Sequence, residues 1–139
     1  MKDLARSTPI PQFKSFSFPT VKKILLVDSN PFVANQFGQL ITQLNHLSMG
    51  CLSSIHTIEK FIETKSPDLI IINIETKGNI DGYQIAKILK LDHEFPLYIL
   101  YREDNLVQKK WAEELNPDGF ILYSPNNSVL KNQLQLLLN

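Results

Sequence analysis

The sequence predicts an α/β domain: a three-layer, doubly wound, five-stranded parallel sheet. Two observations carry that expectation. Short apolar runs such as Ile24-Leu25-Leu26-Val27 and Leu69-Ile70-Ile71-Ile72 alternate along the chain with segments that are apolar at helical spacing. Alternation of this kind builds βαβ units whose sheet is covered on both faces. The runs are also apolar on both parities, as a strand buried on two sides requires.

The first run, Ile24 to Val27, ends at Asp28-Ser29-Asn30-Pro31. Ser29 or Asn30 can cap a helix that begins at Pro31, where the missing proline N–H would lack a partner anyway. Val33, Phe37, Leu40, Leu44 and Leu47 fall on one face of that helix. A short second strand is expected around Met49 to Leu52. Ile55, Ile58, Phe61 and Ile62 mark a second helix that ends before Pro67. Asp68 to Asn73 is the clearest strand, and the polar stretch Glu75 to Asp81 is a loop. A third helix runs from Gly82 to Leu91, with Ile85, Ile88 and Leu89 inward. Pro96 opens a strand from Leu97 to Tyr101, and a helix follows over Asn105 to Leu115, with Val107 and Trp111 about one turn apart. Asp118 to Tyr123 is the fifth strand. Asn126 to Leu138 is the last helix, with Val129, Leu130, Leu134 and Leu137 facing in.

The chain has 139 residues, of which 43% are hydrophobic and 20% charged, which suits one globular domain plus a tail. Residues 1-20 hold Pro9, Pro11 and Pro19 and are expected to form an irregular N-terminal arm; residues 21-139 form the domain. One or two of Phe13, Phe16 and Phe18 are expected to dock on the domain surface; the alternatives are a partner-binding arm and a disordered one. Lys plus Arg (14) balances Asp plus Glu (14), so no dominant electrostatic pull toward nucleic acid or a membrane surface is expected. Cys51 is the single cysteine and is expected in the core as a small apolar group. His46, His56 and His93 are scattered, cannot complete a zinc site with Cys51, and are expected to face solvent. Lys109-Lys110 and Glu113-Glu114 read as a solvated helix face with i,i+4 pairs. The longest apolar runs are far short of the ~18–20 residues needed to cross a bilayer. The arm lacks the apolar block of a signal segment. A soluble, cytoplasmic protein is expected.

In doubly wound sheets, function sits at the C-terminal ends of the strands, near the point where the strand order reverses. Here those ends are Asp28-Ser29, Asn73, Tyr101 and Tyr123-Ser124. The turn after the first strand has no glycine, so neither a dinucleotide fingerprint nor a P-loop is present. No Gly-x-Ser-x-Gly elbow occurs, and Ser29 alone does not make the hydroxyl- and glycine-rich phosphate loop of a flavodoxin.

The run Lys23-Ile-Leu-Leu-Val-Asp28-Ser-Asn-Pro31 resembles the first strand and turn of response-regulator receiver domains of two-component signalling. So do Pro67-Asp-Leu-Ile-Ile-Ile-Asn73 with Asp81-Gly82, and Pro96 to Tyr101 with Asp118-Gly119-Phe120. The resemblance covers about residues 22 to 138 and implies the flavodoxin-like receiver fold, in its chemotaxis-regulator-like form. It also implies phosphorelay chemistry: phosphoryl transfer to an aspartate after strand three. A divalent cation on an acidic pair after strand one assists, with a hydroxyl after strand four and a lysine after strand five.

Residue by residue, this chain departs from that pattern. Asp28 matches the first acid of the pair, but Ser29 stands at the second and Asn73 at the phosphoacceptor position. Tyr101 replaces the small hydroxyl residue, and its ring is expected to fill the phosphoryl space. Phe120 keeps the aromatic switch position. Tyr123 or Ser124 stands where the lysine is expected, and both that segment and the loop from Asn73 to Asp81 look one residue longer than usual. The expectation is therefore an atypical, degenerate receiver with no catalytic residue, no metal and no cofactor. It would be a monomer or weak homodimer acting by recognition of a signalling protein through Asn105 to Leu138. The alternatives are a receiver phosphorylated elsewhere, on Asp28 or Asp81, and a flavodoxin-like ligand-binding domain.

Overall fold

The computed structural model describes residues 20–138. Except for Thr20, the arm expected at residues 1-20 lies outside the described residues. The sheet has five parallel strands: β1 (Lys23–Val27), β2 (Leu47–Leu52), β3 (Leu69–Asn73), β4 (Leu97–Tyr101) and β5 (Gly119–Leu122). Five helices alternate with them: α1 (Pro31–Gln43), α2 (Ile55–Lys65), α3 (Gly82–Asp92), α4 (Leu106–Glu113) and α5 (Asn127–Leu138). The strand order is β2-β1-β3-β4-β5, so the winding reverses between β1 and β3. Among the described residues, no helix is long and apolar enough to cross a membrane.

Each central strand feeds two cores, one per face. Ile24, Leu26, Leu69 and Ile71 point toward Val33, Phe37, Leu40 and Ile41 of α1 and Leu130, Leu134 and Leu138 of α5. Leu25, Val27, Ile70 and Ile72 point toward Ile58 and Ile62 of α2, Ile85, Ala86 and Leu89 of α3, and Ala112 of α4. This is the period-2 alternation of a strand with both faces covered. Two aspartates pin the strand starts. Asp68 Oδ2 accepts the Lys23 N–H at 2.8 Å, and Asp118 Oδ2 accepts the Leu97 N–H at 2.7 Å. At the outer edge of β5, the Gln133 side-chain amide meets both the N–H and the C=O of Leu122, each at 2.8 Å, and so occupies groups that would otherwise be unpaired. Asn30, not Ser29, caps α1, accepting from the Phe32 and Val33 N–H groups.

Several sequence expectations shift. Leu47 does not lie on the α1 face: the helix ends at Gln43, Asn45 turns left-handed (φ 67°), and Leu47 opens β2 with its side chain half exposed. Val129 points outward, because the inward stripe of α5 runs Leu130, Leu134, Leu138 at four-residue steps, and Val129 sits about 100° away. Leu137 and Ile88 are only partly buried. Leu106, Val107 and Trp111 of α4 are exposed, and Ala112 alone of that helix is buried. Cys51 is on an exposed stretch of edge strand β2 rather than in the core, although its thiol donates to the Asp28 carbonyl at 3.1 Å. His46 does not face solvent: it is buried, and its Nδ1 accepts the Lys22 N–H at 3.0 Å.

Truncating a fully buried stripe residue should be severe. Leu134→Ala should cost about 2–5 kcal/mol in a urea melt, whereas Val129→Ala should cost well under 1 kcal/mol. His46 should make stability depend on pH. Burial, and then the nearby Lys22 charge, hold its imidazole below the ordinary value of 6.5. The unfolded chain therefore takes up a proton that the folded chain resists, so this contribution is present in full above about pH 6.5 and is lost as pH falls through the lower folded value. The stability gap between the wild type and His46→Gln should shrink on going from pH 7.5 to pH 5; a gap constant with pH would refute the burial of a neutral imidazole.

Candidate functional site

At the reversal point, β1 and β3 end side by side, with Val27 in register with Ile72. Asp28 follows β1 and Asn73 closes β3, and both are buried. Asn73 Nδ2 donates to Asp28 Oδ2 at 3.0 Å, while the Asn30 N–H donates to Asp28 Oδ1 at 2.8 Å. Both carboxylate oxygens thus already accept from N–H groups. Burial pushes the Asp28 carboxyl above the ordinary carboxylate value, against the lowering effect of these hydrogen bonds. The Asn73 Oδ1 accepts the Glu75 N–H at 2.9 Å, an Asx turn that starts the loop, as expected of this side chain.

The loop beyond is tied inward. Thr76 is buried, and its Oγ1 lies 2.7 Å from the Asn73 carbonyl and 3.2 Å from the Val27 carbonyl, linking the two strand ends. Ser29 Oγ accepts the Lys77 N–H at 3.0 Å. Helix α3 then begins against the same strand end: Asp81 and Gln84 form a reciprocal capping box, and Gly82 abuts the Asn73 carbonyl.

Above Asp28 and Asn73 lies a cleft of about 450 Å³, lined by Ser29, Phe32, Glu75, Lys77 and Arg102. Two cations therefore face this cleft, from the loops after β3 and β4 rather than from the end of β5. Tyr101 does not line it. Its ring makes an edge contact with Phe120 at 6.0 Å, and Lys109 Nζ of α4 sits over both rings at 5.1 and 5.0 Å. The expectation that this phenol fills the space over Asn73 is not met, because its side chain leaves the strand toward α4. Tyr123 points to the opposite face, where its hydroxyl donates to Gln36 Oε1 at 3.0 Å and Arg102 lies over its ring at 4.9 Å. Ser124 Oγ accepts the Asn126 N–H at 3.0 Å as the chain enters α5. The structure thus brings Asp28, Ser29 and Asn73 together, and pairs Tyr101 with Phe120, but keeps Tyr123 and Ser124 apart from them.

Sequence reasoning missed Thr76, Lys77, Arg102 and Lys109. Arg102 immediately follows a recognisable strand end and Lys77 lies in the loop after another, which is a usable signal. Nothing in the sequence marked Lys109 as more than a surface lysine. Among the described residues, no cluster of three or more His, Cys, Asp or Glu side chains is placed to hold a metal ion.

No family model matches the chain. Its fold is that of response-regulator receiver domains. The receiver domain of NtrX from Brucella abortus superposes with a TM-score of 0.72 at 19% identity, over 83% of this chain and 97% of that one. The signal receiver domain of a modulated diguanylate cyclase from Desulfovibrio desulfuricans G20 gives 0.72 at 16% identity, over 86% and 94%. The BeF3-activated N-terminal receiver domain of Klebsiella pneumoniae RstA gives 0.68 at 22%, over 84% and 98%. In sequence, the chain is similar to the heme response regulator HssR of Staphylococcus saprophyticus, 27% identical over 97 residues, and to that of Staphylococcus aureus at the same identity. Those 97 residues are 70% of this chain, which spans about two fifths (42%) of the length of the curated relatives it matches.

The close approach of α3 to β3 gives a direct test of this geometry. A Cβ at position 82 would lie 2.3 Å from the Asn73 carbonyl oxygen, whereas one at position 78 would meet nothing closer than 3.7 Å. Gly82→Ala should cost at least about 1–3 kcal/mol through backbone displacement, and Gly78→Ala should be near neutral. Equal effects in chemical melts would show that the α3 start does not press on the strand end.

Proposed function

We propose that this chain is a receiver-like module of two-component signalling that acts through protein recognition and is not phosphorylated at the usual acceptor position. The observation that carries the proposal is the buried bond from Asn73 Nδ2 to Asp28 Oδ2. An amide is not a carboxylate nucleophile, so Asn73 offers no route to an acyl phosphate. The same bond occupies Asp28, and the other carboxylate lining the cleft, Glu75, accepts from Asn105 Nδ2 at 2.9 Å.

The receiver fold implies Mg²⁺, and the residues present do not fit it. Mg²⁺ dehydrates reluctantly and wants carboxylate oxygens. With Ser29 and Asn73 beside Asp28, a site of about −3 becomes one of about −1. Both Asp28 oxygens and the Ser29 hydroxyl already accept from N–H donors. Asp81, an alternative acceptor, is held as the α3 cap by the Gln84 N–H at 2.9 Å.

Receiver domains are in general signalling modules rather than enzymes, and recognition is the activity that survives these losses. The surface proposed for it is α4, β5 and α5, over Asn105 to Leu138. Leu106, Val107, Trp111, Val129 and Leu136 are bared there on short, otherwise polar helices. The partner is a signalling protein, met in the cytoplasm by a monomer or weak homodimer. Lys109, lodged over Tyr101 and Phe120, holds α4 to the two strand positions that form the family's switch. In this proposal it keeps the surface in one arrangement without a phosphoryl group.

Incubation with acetyl phosphate and Mg²⁺ should leave the intact mass unchanged, and calorimetry should show no saturable Mg²⁺ binding at a few millimolar. A phosphoryl group mapped to Asp28 or Asp81 would replace this proposal with that of an atypical but working receiver. Asn73→Asp should not by itself give efficient phosphorylation, because Ser29 and the missing lysine act with the acceptor as a unit. Rapid, stoichiometric labelling of that variant would show that only the nucleophile has been lost.

A further inference from the structure

Helix α4 is turned inside out relative to the other helices. The residues on its inward face, at the i, i+3, i+4, i+7 spacing of one helical stripe, are Asn105, Gln108, Lys109 and Ala112, all buried or partly buried. Its apolar Leu106, Val107 and Trp111 face water instead. A helix with a polar inward face is held by hydrogen bonds and charge rather than by apolar burial. Its position then answers to the groups that make those bonds.

One of those groups belongs to the site. Asn105 is the N-cap of α4, and its Oδ1 accepts the Gln108 N–H. Its Nδ2 donates to Gln108 Oε1 and, at 2.9 Å, to Glu75 Oε2. Glu75 lies 30 residues earlier in the chain, and its own N–H is held by Asn73 Oδ1 at 2.9 Å. Asp28, Asn73, Glu75 and Asn105 thus form one line of hydrogen-bonded residues from the end of β1 to the start of α4.

Glu75 also stands between two clefts. In the cleft above Asp28 and Asn73, the other charged groups are Asp28, Lys77 and Arg102. A second cleft of about 340 Å³ lies under the start of α4, where the other charged groups are Lys77 and Asp81, beside Thr76, Asn105 and Gln108. The Glu75 side chain therefore faces the site on one side and the cap of α4 on the other. After burial, its charge is among the influences that raise the Asp28 carboxyl, so the two carboxylates feel each other.

We propose that Glu75 is a positioning residue for α4: its bond to Asn105 pins the cap of the helix and ties the exposed Leu106, Val107 and Trp111 to the Asp28–Asn73 pair. Taking the carboxylate away leaves Asn105 Nδ2 with Gln108 alone and lets the start of α4 open more often. The use of this link in recognition rests on the surface proposed above; the link itself needs neither a partner nor a phosphoryl group.

The test is amide hydrogen exchange, read residue by residue by NMR on the full chain with no partner and no phosphoryl donor. Glu75→Ala should speed exchange of the Gln108 to Ala112 amides about tenfold, the scale of a lost hydrogen bond to a charged group, and leave Leu130 and Leu134 of α5 unchanged. Glu75→Gln keeps an oxygen acceptor for Asn105 and should recover most of the protection. Asn105→Ala should loosen α4 at least as far, and adding Glu75→Ala to it should change α4 exchange by less than about twofold. Asn73→Ala removes the acceptor of the Glu75 N–H without touching α4. It should speed the same amides in the wild-type background and not in Asn105→Ala. Unchanged α4 exchange in Glu75→Ala, equal acceleration in α4 and α5, or additive effects of Glu75→Ala and Asn105→Ala would each overturn the proposal. Faster α4 exchange in Glu75→Ala with none in Asn73→Ala would overturn the tie to the Asp28–Asn73 pair. Phosphorylation of Asp28 or Asp81 would overturn the functional reading above while leaving these exchange results as they are.

Discussion

The structure depends on one constraint: β1 and β3 are apolar on both faces and run parallel at the centre of the sheet. Ile24 to Val27 and Leu69 to Ile72 are all buried. Strands of that composition cannot leave a face to water, so helices must cover both sides, and each parallel pairing must be reached by a crossover. Five helices, divided between two cores, follow from this need. The reversal of winding at the same pair of strands brings the end of β1 beside the end of β3. The meeting of Asp28 with Asn73 is thus a consequence of what buries Ile24 and Ile71.

That meeting is closed on itself. In a buried setting each polar atom needs a partner. Asp28 receives Asn30 and Asn73, Asn73 receives Glu75, Thr76 lies against the carbonyls of Val27 and Asn73, and Ser29 receives Lys77. A receiver with a carboxylate at position 73 would instead place two like charges side by side there, which a cation would have to offset. The amide removes that need, because it donates to one side and accepts from the other. The positive charge that remains nearby, Lys77 and Arg102, comes from loops.

Helix α4 is anchored differently from the rest. It buries only Ala112 and leaves Leu106, Val107 and Trp111 exposed. Its fixed points are Lys109 over the Tyr101 and Phe120 rings and the edge contact of Trp111 with Tyr83 at 6.2 Å. A cation over aromatic rings contributes ~0.5–1 kcal/mol at partly exposed sites. An element with so little apolar burial sits at the low-stability end of the fold.

The sequence alone determined the order and type of every element, because unbroken β-branched runs and four-residue apolar steps are local signals that survive without knowing their neighbours. It also determined which residue types stand at the strand ends, Ser29 after β1 and Asn73 at the close of β3 among them. Only the tertiary structure decided where those side chains point. Tyr101 turns toward Phe120 and α4 because alternation along β4 assigns it to that face. Tyr123 turns the other way to reach Gln36. His46 becomes buried because the end of α1 presses it against the chain entering β1. Val129 and Leu138 trade places on α5 through a helical phase that the apolar pattern Val129, Leu130, Leu134, Leu137, Leu138 leaves open by one residue. Side-chain direction depends on which face a neighbouring element covers, and that neighbour lies tens of residues away in the chain.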